Sequence, residues 1–178
     1  FNPVLKELIP SNDPPKRQSL ENSDINALYD LLKRSYLRFK GDYRLFRGSC
    51  PIISLISLLT GARRGEVLAL QWSSVDFEAE CISITQSIDA LGNIKAPKTK
   101  AGVRTVAIPH NLACMLLEWR EQVKRHLFEH SVKFGDSMPV GMSGVYTYIN
   151  PRNFESWWLK WRAENGFDGL KFHELRHS

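Results

Sequence analysis

Ile52-Ile53-Ser54-Leu55-Ile56-Ser57-Leu58-Leu59-Thr60-Gly61-Ala62-Arg63-Arg64-Gly65-Glu66 is the stretch on which the fold turns. Ile52 to Leu59 is apolar almost throughout and reads as a buried helix, with a buried strand as the alternative. Thr60-Gly61 ends it, because glycine tolerates the left-handed conformation of a helix C-terminal cap. Glu66 to Gln71 resumes a short helix with Val67, Leu68 and Leu70 inward. Two glycines therefore bracket two arginines between helices. An arginine there lies near a helix N-terminus, where free N–H groups and the helix dipole also favour an anion. A capped turn with two solvated arginines would have the same sequence, so the turn by itself does not decide function.

Working outward, Ser23-Asp24 opens a helix whose apolar positions Ile25, Leu28, Leu31 and Leu32 recur at helical spacing. Arg38 to Arg47 reads as a basic, glycine-containing loop carrying Lys40 and Arg44. On the other side, Cys81-Ile82-Ser83-Ile84 alternates as a strand does. Gln86 to Ala90 reads as a second strand before the turn Leu91-Gly92-Asn93, and Val103 to Ile108 as a third, closed by Pro109. These three are expected to form one small antiparallel sheet inserted in a helical protein. Leu112 to His130 is a long helix with Leu112, Met115, Leu116 and Trp119 on one face, and 131–148 is a loop with scattered glycines. Asn150-Pro151 starts another helix, a capping side chain followed by proline at the first position. Phe172 to Ser178 begins a last helix.

The 178 residues suffice for one domain with a real core. Lys plus Arg number 24 against 19 acids, a net +5 that leans toward polyanionic partners. Apolar stretches are all too short to span a membrane. Cys50, Cys81 and Cys114 lack CxxC spacing and are odd in number, which fits a reducing, cytoplasmic setting better than a disulfide framework. Phe1 to Gln18, with four prolines and Lys16-Arg17, reads as an extended linker. The absence of an initiating methionine, and a last motif at the final residue, suggest a piece cut from a longer protein.

Two further segments carry chemistry. Ala96-Pro97-Lys98-Thr99-Lys100-Ala101-Gly102-Val103-Arg104 is a hairpin with several cations and no acid, suited to a phosphate, although a solvated hairpin would also have this charge. His173-Glu174-Leu175-Arg176-His177 can be read in two ways. As H-E-x-x-H it is the helical zinc motif of metallopeptidases. As H-x-x-R-H it is a pair of proton carriers with a guanidinium, suited to a phosphate. The zinc reading needs a third ligand and leaves Arg63 and the lysine hairpin unexplained, so the chain favours phosphate. On an α-helix His173 and His177 would share a face, with Arg176 one turn from His173.

Together the turn at Arg63, the Lys98-Thr99-Lys100 segment before Val106-Ala107-Ile108-Pro109, and the terminal motif resemble the catalytic domain of the tyrosine recombinases, the phage-integrase family. The resemblance runs from about Ser19 onward. It implies a mainly α fold with a small inserted antiparallel sheet, a linker over 1–18, and a truncated catalytic domain over 19–178. It implies site-specific recombination of double-stranded DNA through a 3′-phosphotyrosine intermediate, without cofactor or metal. Arg63 and Arg176 would clamp the scissile phosphate. Lys98, or Lys100 in competition with it, would protonate the leaving 5′-oxygen. His173 would assist the nucleophile, His177 would donate to the phosphate, and Glu66 would support them. Lys100, Arg104, Lys16 and Arg17 would contact DNA, and the parent would act as a tetramer on two sites while this piece stays monomeric. One departure matters: the family's nucleophile is a tyrosine well downstream of H-x-x-R-H, and none follows here; Tyr146 and Tyr148 lie upstream. A non-catalytic DNA-binding module is the other rival, disfavoured because all five expected cationic or imidazole positions are filled.

Three features are set aside. Trp157 and Trp161, one turn apart, are expected in the core rather than as a stacking platform with Trp158 for bases. His126 and His130 have metal-ligand spacing but belong to a solvated helix face. The basic residues from Arg38 to Arg47 need no function to be exposed.

Overall fold

The computed structural model describes residues 22–39, 44–96 and 102–177, with the side chains of Asn22, Arg176 and His177 excepted. Lys16, Arg17, Lys40, Lys98 and Lys100 therefore lie outside the described residues, as does the linker expected over 1–18.

Helix α1 (Asn22–Phe39) presents Leu28, Leu32 and Tyr36 as one fully buried stripe, four residues apart. It lies against α2 (Leu45–Thr60), the centre of the molecule. From Gly48 to Leu58 every residue of α2 is buried, as expected of a helix apolar on all sides. Its serines carry polar groups into that core, and each finds a partner. Ser54 Oγ donates to the Cys50 carbonyl (2.9 Å) and Ser57 Oγ to the Ala62 carbonyl (2.8 Å), while Ser49 Oγ accepts from the Met142 N–H (2.9 Å). The helix alternative for 52–59 is thus the one adopted. It starts earlier than expected, so Leu45 to Arg47 belong to α2 and Arg38 to α1 rather than to a loop.

Helix α3 (Arg64–Leu68) follows, then a 3-10 turn (Trp72–Ser74) and strand β1 (Val75–Asp76). Asp76 accepts from the N–H groups of Glu78 (3.0 Å) and Ala79 (2.9 Å), closing the turn into β2 (Cys81–Ile84). Strand β5 (Arg104–Ala107) pairs with the other edge of β2, giving an antiparallel sheet of order β1-β2-β5.

The second expected strand does not join this sheet. Ser87–Ile88 (β3) pairs with Ile94–Lys95 (β4) in a two-stranded ladder of its own. Gln86 is the reason: its amide donates to the Ala69 carbonyl (2.7 Å), drawing the chain away from β2 and onto the end of α3. The hairpin then closes on Asp89, whose carboxylate takes the N–H groups of Leu91 and Asn93 (both 2.9 Å) and the Lys95 ammonium (2.6 Å).

Helix α4 (His110–Glu129) buries Leu112, Met115, Leu116 and Trp119 as its periodicity predicts. The Trp119 indole donates to the Val140 carbonyl (2.8 Å), which pins the 131–148 loop. Helix α5 (Pro151–Glu164) starts as expected, with Asn150 accepting from the Arg152 N–H (2.9 Å). Its buried face is Phe154, Trp158 and Trp161, so Trp158 takes the core place expected for Trp157, which is only partly buried. The chain ends in a 3-10 helix (Phe172–His177) rather than an α-helix. With three residues per turn, backbone positions 173 and 176 return to the same side of the axis, and 173 and 177 do not.

Candidate nucleic-acid interface

The turn between α2 and α3 is held before any ligand arrives. Gly61 adopts φ 65° and its N–H bonds the Ser57 carbonyl (2.9 Å), a conformation that favours glycine. Thr60 Oγ1 accepts from the Ala62 N–H (3.3 Å). Arg63 then caps α3 in an extended conformation, and its own N–H is taken by Glu66 Oε2 (2.7 Å). The turn therefore offers an anion the Arg63 guanidinium rather than that N–H group.

Glu66 is the organising group. Its side chain is 8% exposed, yet it is a carboxylate. Oε1 accepts from Arg63 Nη1 (3.1 Å) and Arg104 Nη1 (3.0 Å), while Oε2 accepts from Arg104 Nη2 (2.8 Å) and the Arg63 N–H. A carboxylate has about four acceptor positions, so this one is saturated. Burial, the largest influence, favours the neutral acid. The hydrogen bonds from Arg104 and from the Arg63 main chain and side chain, with the charge of Arg104, outweigh it and hold Glu66 at about 2. Arg63 itself remains 60% exposed and Arg104 31%.

Arg63 opens into a cleft of about 450 Å³. Arg64, held to Glu155 of α5 by an ion pair, lines one side. Ser87, Ile88 and Asp89 of the β3–β4 hairpin form another wall, and Lys171 and His173 a third. The hairpin can approach because residue 65 is glycine. A Cβ there would lie 2.4 Å from the Ile88 carbonyl oxygen and 2.5 Å from Ser87 Oγ. Gly65→Ala is thus expected to push the hairpin off α3 and cost about 1–3 kcal/mol, read as a lower urea midpoint. An unchanged midpoint would show that this wall is not fixed by the contact.

His173 reaches the cleft because its neighbours are anchored. Phe172 and Leu175 are buried, with the Phe172 ring edge-on to Phe154 (5.0 Å) and Trp158 (5.1 Å), while His173 stays exposed. Arg63 and His173, about 110 residues apart in sequence, thus line one surface. The backbone of Arg176 and His177 continues directly from His173, but their side chains, like those of Lys98 and Lys100, lie outside the description. Arg104, expected on DNA, is paired with Glu66 and stays part-exposed. Lys171 was missed: as a lone cation beside the motif it gives no sequence signal, yet it lines the cleft and has no ion-pair partner among the described residues.

The zinc reading fits poorly. Glu174 Oε2 accepts from the Lys171 N–H (2.7 Å), capping the turn. Among the described residues no group of three His, Cys, Asp or Glu could hold a metal ion. His126 and His130 stack at 4.2 Å, and the His130 Nδ1 lies 2.8 Å from the His126 carbonyl, an interaction within the helix. No described helix is long and apolar enough to cross a membrane.

A helical core bearing a small antiparallel sheet, with an exposed arginine and a histidine on one cleft, defines the class. The chain belongs to the phage integrase family, whose sequence pattern matches residues 18–178. It is similar to a XerC-like tyrosine recombinase of Caldanaerobacter subterraneus subsp. tengcongensis, at 31% identity over 143 residues, covering 70% of this chain and 36% of that protein. It also resembles the ICEBs1 integrase of Bacillus subtilis, at 38% identity over 69 residues, 37% of this chain and 19% of that protein. Among solved structures, the XerA recombinase superposes with a TM-score of 0.61 at 17% identity, covering 93% of this chain and 50% of that one. The Tn1549 transposon integrase in complex with a circular intermediate DNA gives 0.64 at 15% identity, covering 95% and 54%. These two likenesses establish the fold: mainly helical with a small antiparallel sheet. The chain spans about a third of the length of the first of these recombinases and about half of the solved structures.

Proposed function

We propose that this chain is the phosphate-binding part of the catalytic domain of a site-specific DNA recombinase, residues 19–178, with 1–18 as the linker before it. The observation that carries this is the exposed Arg63 guanidinium, held by a buried carboxylate on a cleft it shares with His173.

On this reading the substrate is a phosphodiester of double-stranded DNA. Arg63 and Arg176 neutralise the charge that builds on the non-bridging oxygens at the transition state, and His177 donates a further hydrogen bond. His173 assists removal of the proton from an incoming tyrosine hydroxyl. The tyrosine oxygen forms a bond to phosphorus while the bond to the 5′-oxygen breaks, and Lys98 or Lys100 gives that oxygen its proton. The product is a 3′-phosphotyrosine, which a second 5′-hydroxyl reverses during rejoining. No oxidant, metal or cofactor enters this balance. The tyrosine would come from chain beyond Ser178. Lys171 would add a phosphate contact at the cleft, with Lys16, Arg17 and Lys100 contacting the backbone elsewhere. The longer protein would work as a tetramer on two DNA sites in the cytoplasm, and this chain would be a monomer.

The test is covalent capture. The 178-residue chain and a version extended through a downstream tyrosine are incubated with nicked suicide duplexes and resolved under denaturing conditions. The extended protein is expected to form protein–DNA adducts and the shorter chain none. An adduct on the shorter chain, through Tyr146 or Tyr148, would overturn this placement of the nucleophile.

A further inference from the structure

We propose that Arg104 is a positioning residue for Arg63, acting through Glu66, rather than a DNA contact. The inference rests on the recombinase reading of the cleft and adds to it.

Three observations carry it. Arg104 meets Glu66 fork to fork, with both Nη atoms on both carboxylate oxygens at 3.0 and 2.8 Å, the arrangement that most restricts direction. Its backbone is not free to follow a ligand, because Arg104 pairs with Ile84 in the β2–β5 ladder. And the same two oxygens hold Arg63, at its main-chain N–H (2.7 Å) and at Nη1 (3.1 Å). Two guanidinium charges thus share one buried carboxylate. Arg104 occupies half of the acceptor positions that Glu66 offers, and in doing so limits how strongly the carboxylate holds the Arg63 guanidinium.

The consequence is a competition. With Arg104 present, Glu66 fixes the base of Arg63 by one main-chain bond and one side-chain bond, and the rest of the guanidinium faces the cleft. Without it, two acceptor positions on a buried anion fall vacant. The nearest donor is Arg63, which folds back onto Glu66 and is withdrawn from the phosphate. The loss at Arg104 is therefore caused by the Glu66 charge, and removing that charge should cancel it. A direct phosphate contact by Arg104 would behave otherwise, because its loss would be the same whether or not residue 66 is charged.

The experiment is a double-variant cycle on duplex binding by the 178-residue chain, followed by fluorescence anisotropy across a salt series. Arg63→Ala is the control for the site. Arg104→Gln is expected to weaken binding on the order of tenfold and, because Arg63 is withdrawn, to lower the slope of log affinity against log salt by about 0.9. In the Glu66→Gln background the same substitution should cost less than about twofold. Equal losses in both backgrounds would identify a direct phosphate contact and overturn the proposal. No loss in either background would overturn it as well. If Arg104→Gln does not fold, Arg104→Lys replaces it, retaining the charge without the fork. It should lose a smaller factor, again cancelled by Glu66→Gln, and the same two outcomes overturn the proposal. If Arg63→Ala leaves affinity unchanged, the phosphate reading of the cleft fails and this inference with it. If Arg63→Ala weakens binding and the cycle shows no coupling, only the inference fails.

Discussion

Arg63→Ala, in the protein extended through a downstream tyrosine, is expected to lower the rate of DNA cleavage by roughly 100- to 1,000-fold. The expectation follows from where charge develops. A phosphodiester gains negative charge on its non-bridging oxygens as the new bond forms, and a guanidinium already oriented there stabilises the transition state without reorganising. Arg63 is oriented in this sense by two bonds to Glu66. Arg63→Lys should recover little, because an ammonium is a point charge that cannot bond Glu66 and a phosphate as a planar fork does. The measurement is single-turnover adduct formation on suicide duplexes, with duplex affinity measured alongside. A variant that binds normally and cleaves within about threefold of the parent rate would remove Arg63 from the chemistry, since loss of a transition-state donor costs far more than that.

Glu66→Ala is expected to cost about 3–5 kcal/mol of folding stability, the usual effect of removing one partner from a buried charge cluster. Four hydrogen bonds vanish at once, and two arginines lose their common anion. The same group sets the acid response of the fold. Glu66 is held at about 2 against an ordinary 4.5, so its contribution is complete above about pH 4.5 and is lost as pH falls toward 2. By linkage the loss is about 3 kcal/mol. Urea titrations at pH 7 and at pH 3 should therefore show the parent chain losing stability that Glu66→Gln, with no charge at that position, does not lose. Parallel losses in both proteins would mean that other carboxylates dominate acid unfolding.

The parts of this structure that could be read from sequence are those set by local rules. The apolar run ending at Gly61, the cap at Asn150 and the periodicity of α4 each need only their neighbours in the chain, and each appears where expected. The sheet was legible strand by strand but not in its pairing. Ile88 alternates as any half-buried strand does, and nothing local says that Gln86 will bond Ala69 and detach it from β2. The same limit explains the site. The motifs single out Arg63 and His173, which line one cleft, but the saturation of Glu66 by Arg104 spans 38 residues and follows only from the β2–β5 register. The exchange of Trp157 for Trp158 in the core was legible in principle, because Phe154, Trp158 and Trp161 fall at helical spacing.

The separate ladder of β3 and β4 divides the molecule by local stability. A two-stranded ribbon is marginal by itself, and this one has only the pairs Ser87 with Lys95 and Ile88 with Ile94. Its opening need not disturb the β1-β2-β5 sheet or the helices around α2. Amide exchange at the hairpin would then follow a small opening free energy, while Ile82 and Val106 exchange only with global unfolding. One wall of the cleft is thus expected to open more readily than the helix that carries the arginine beside it.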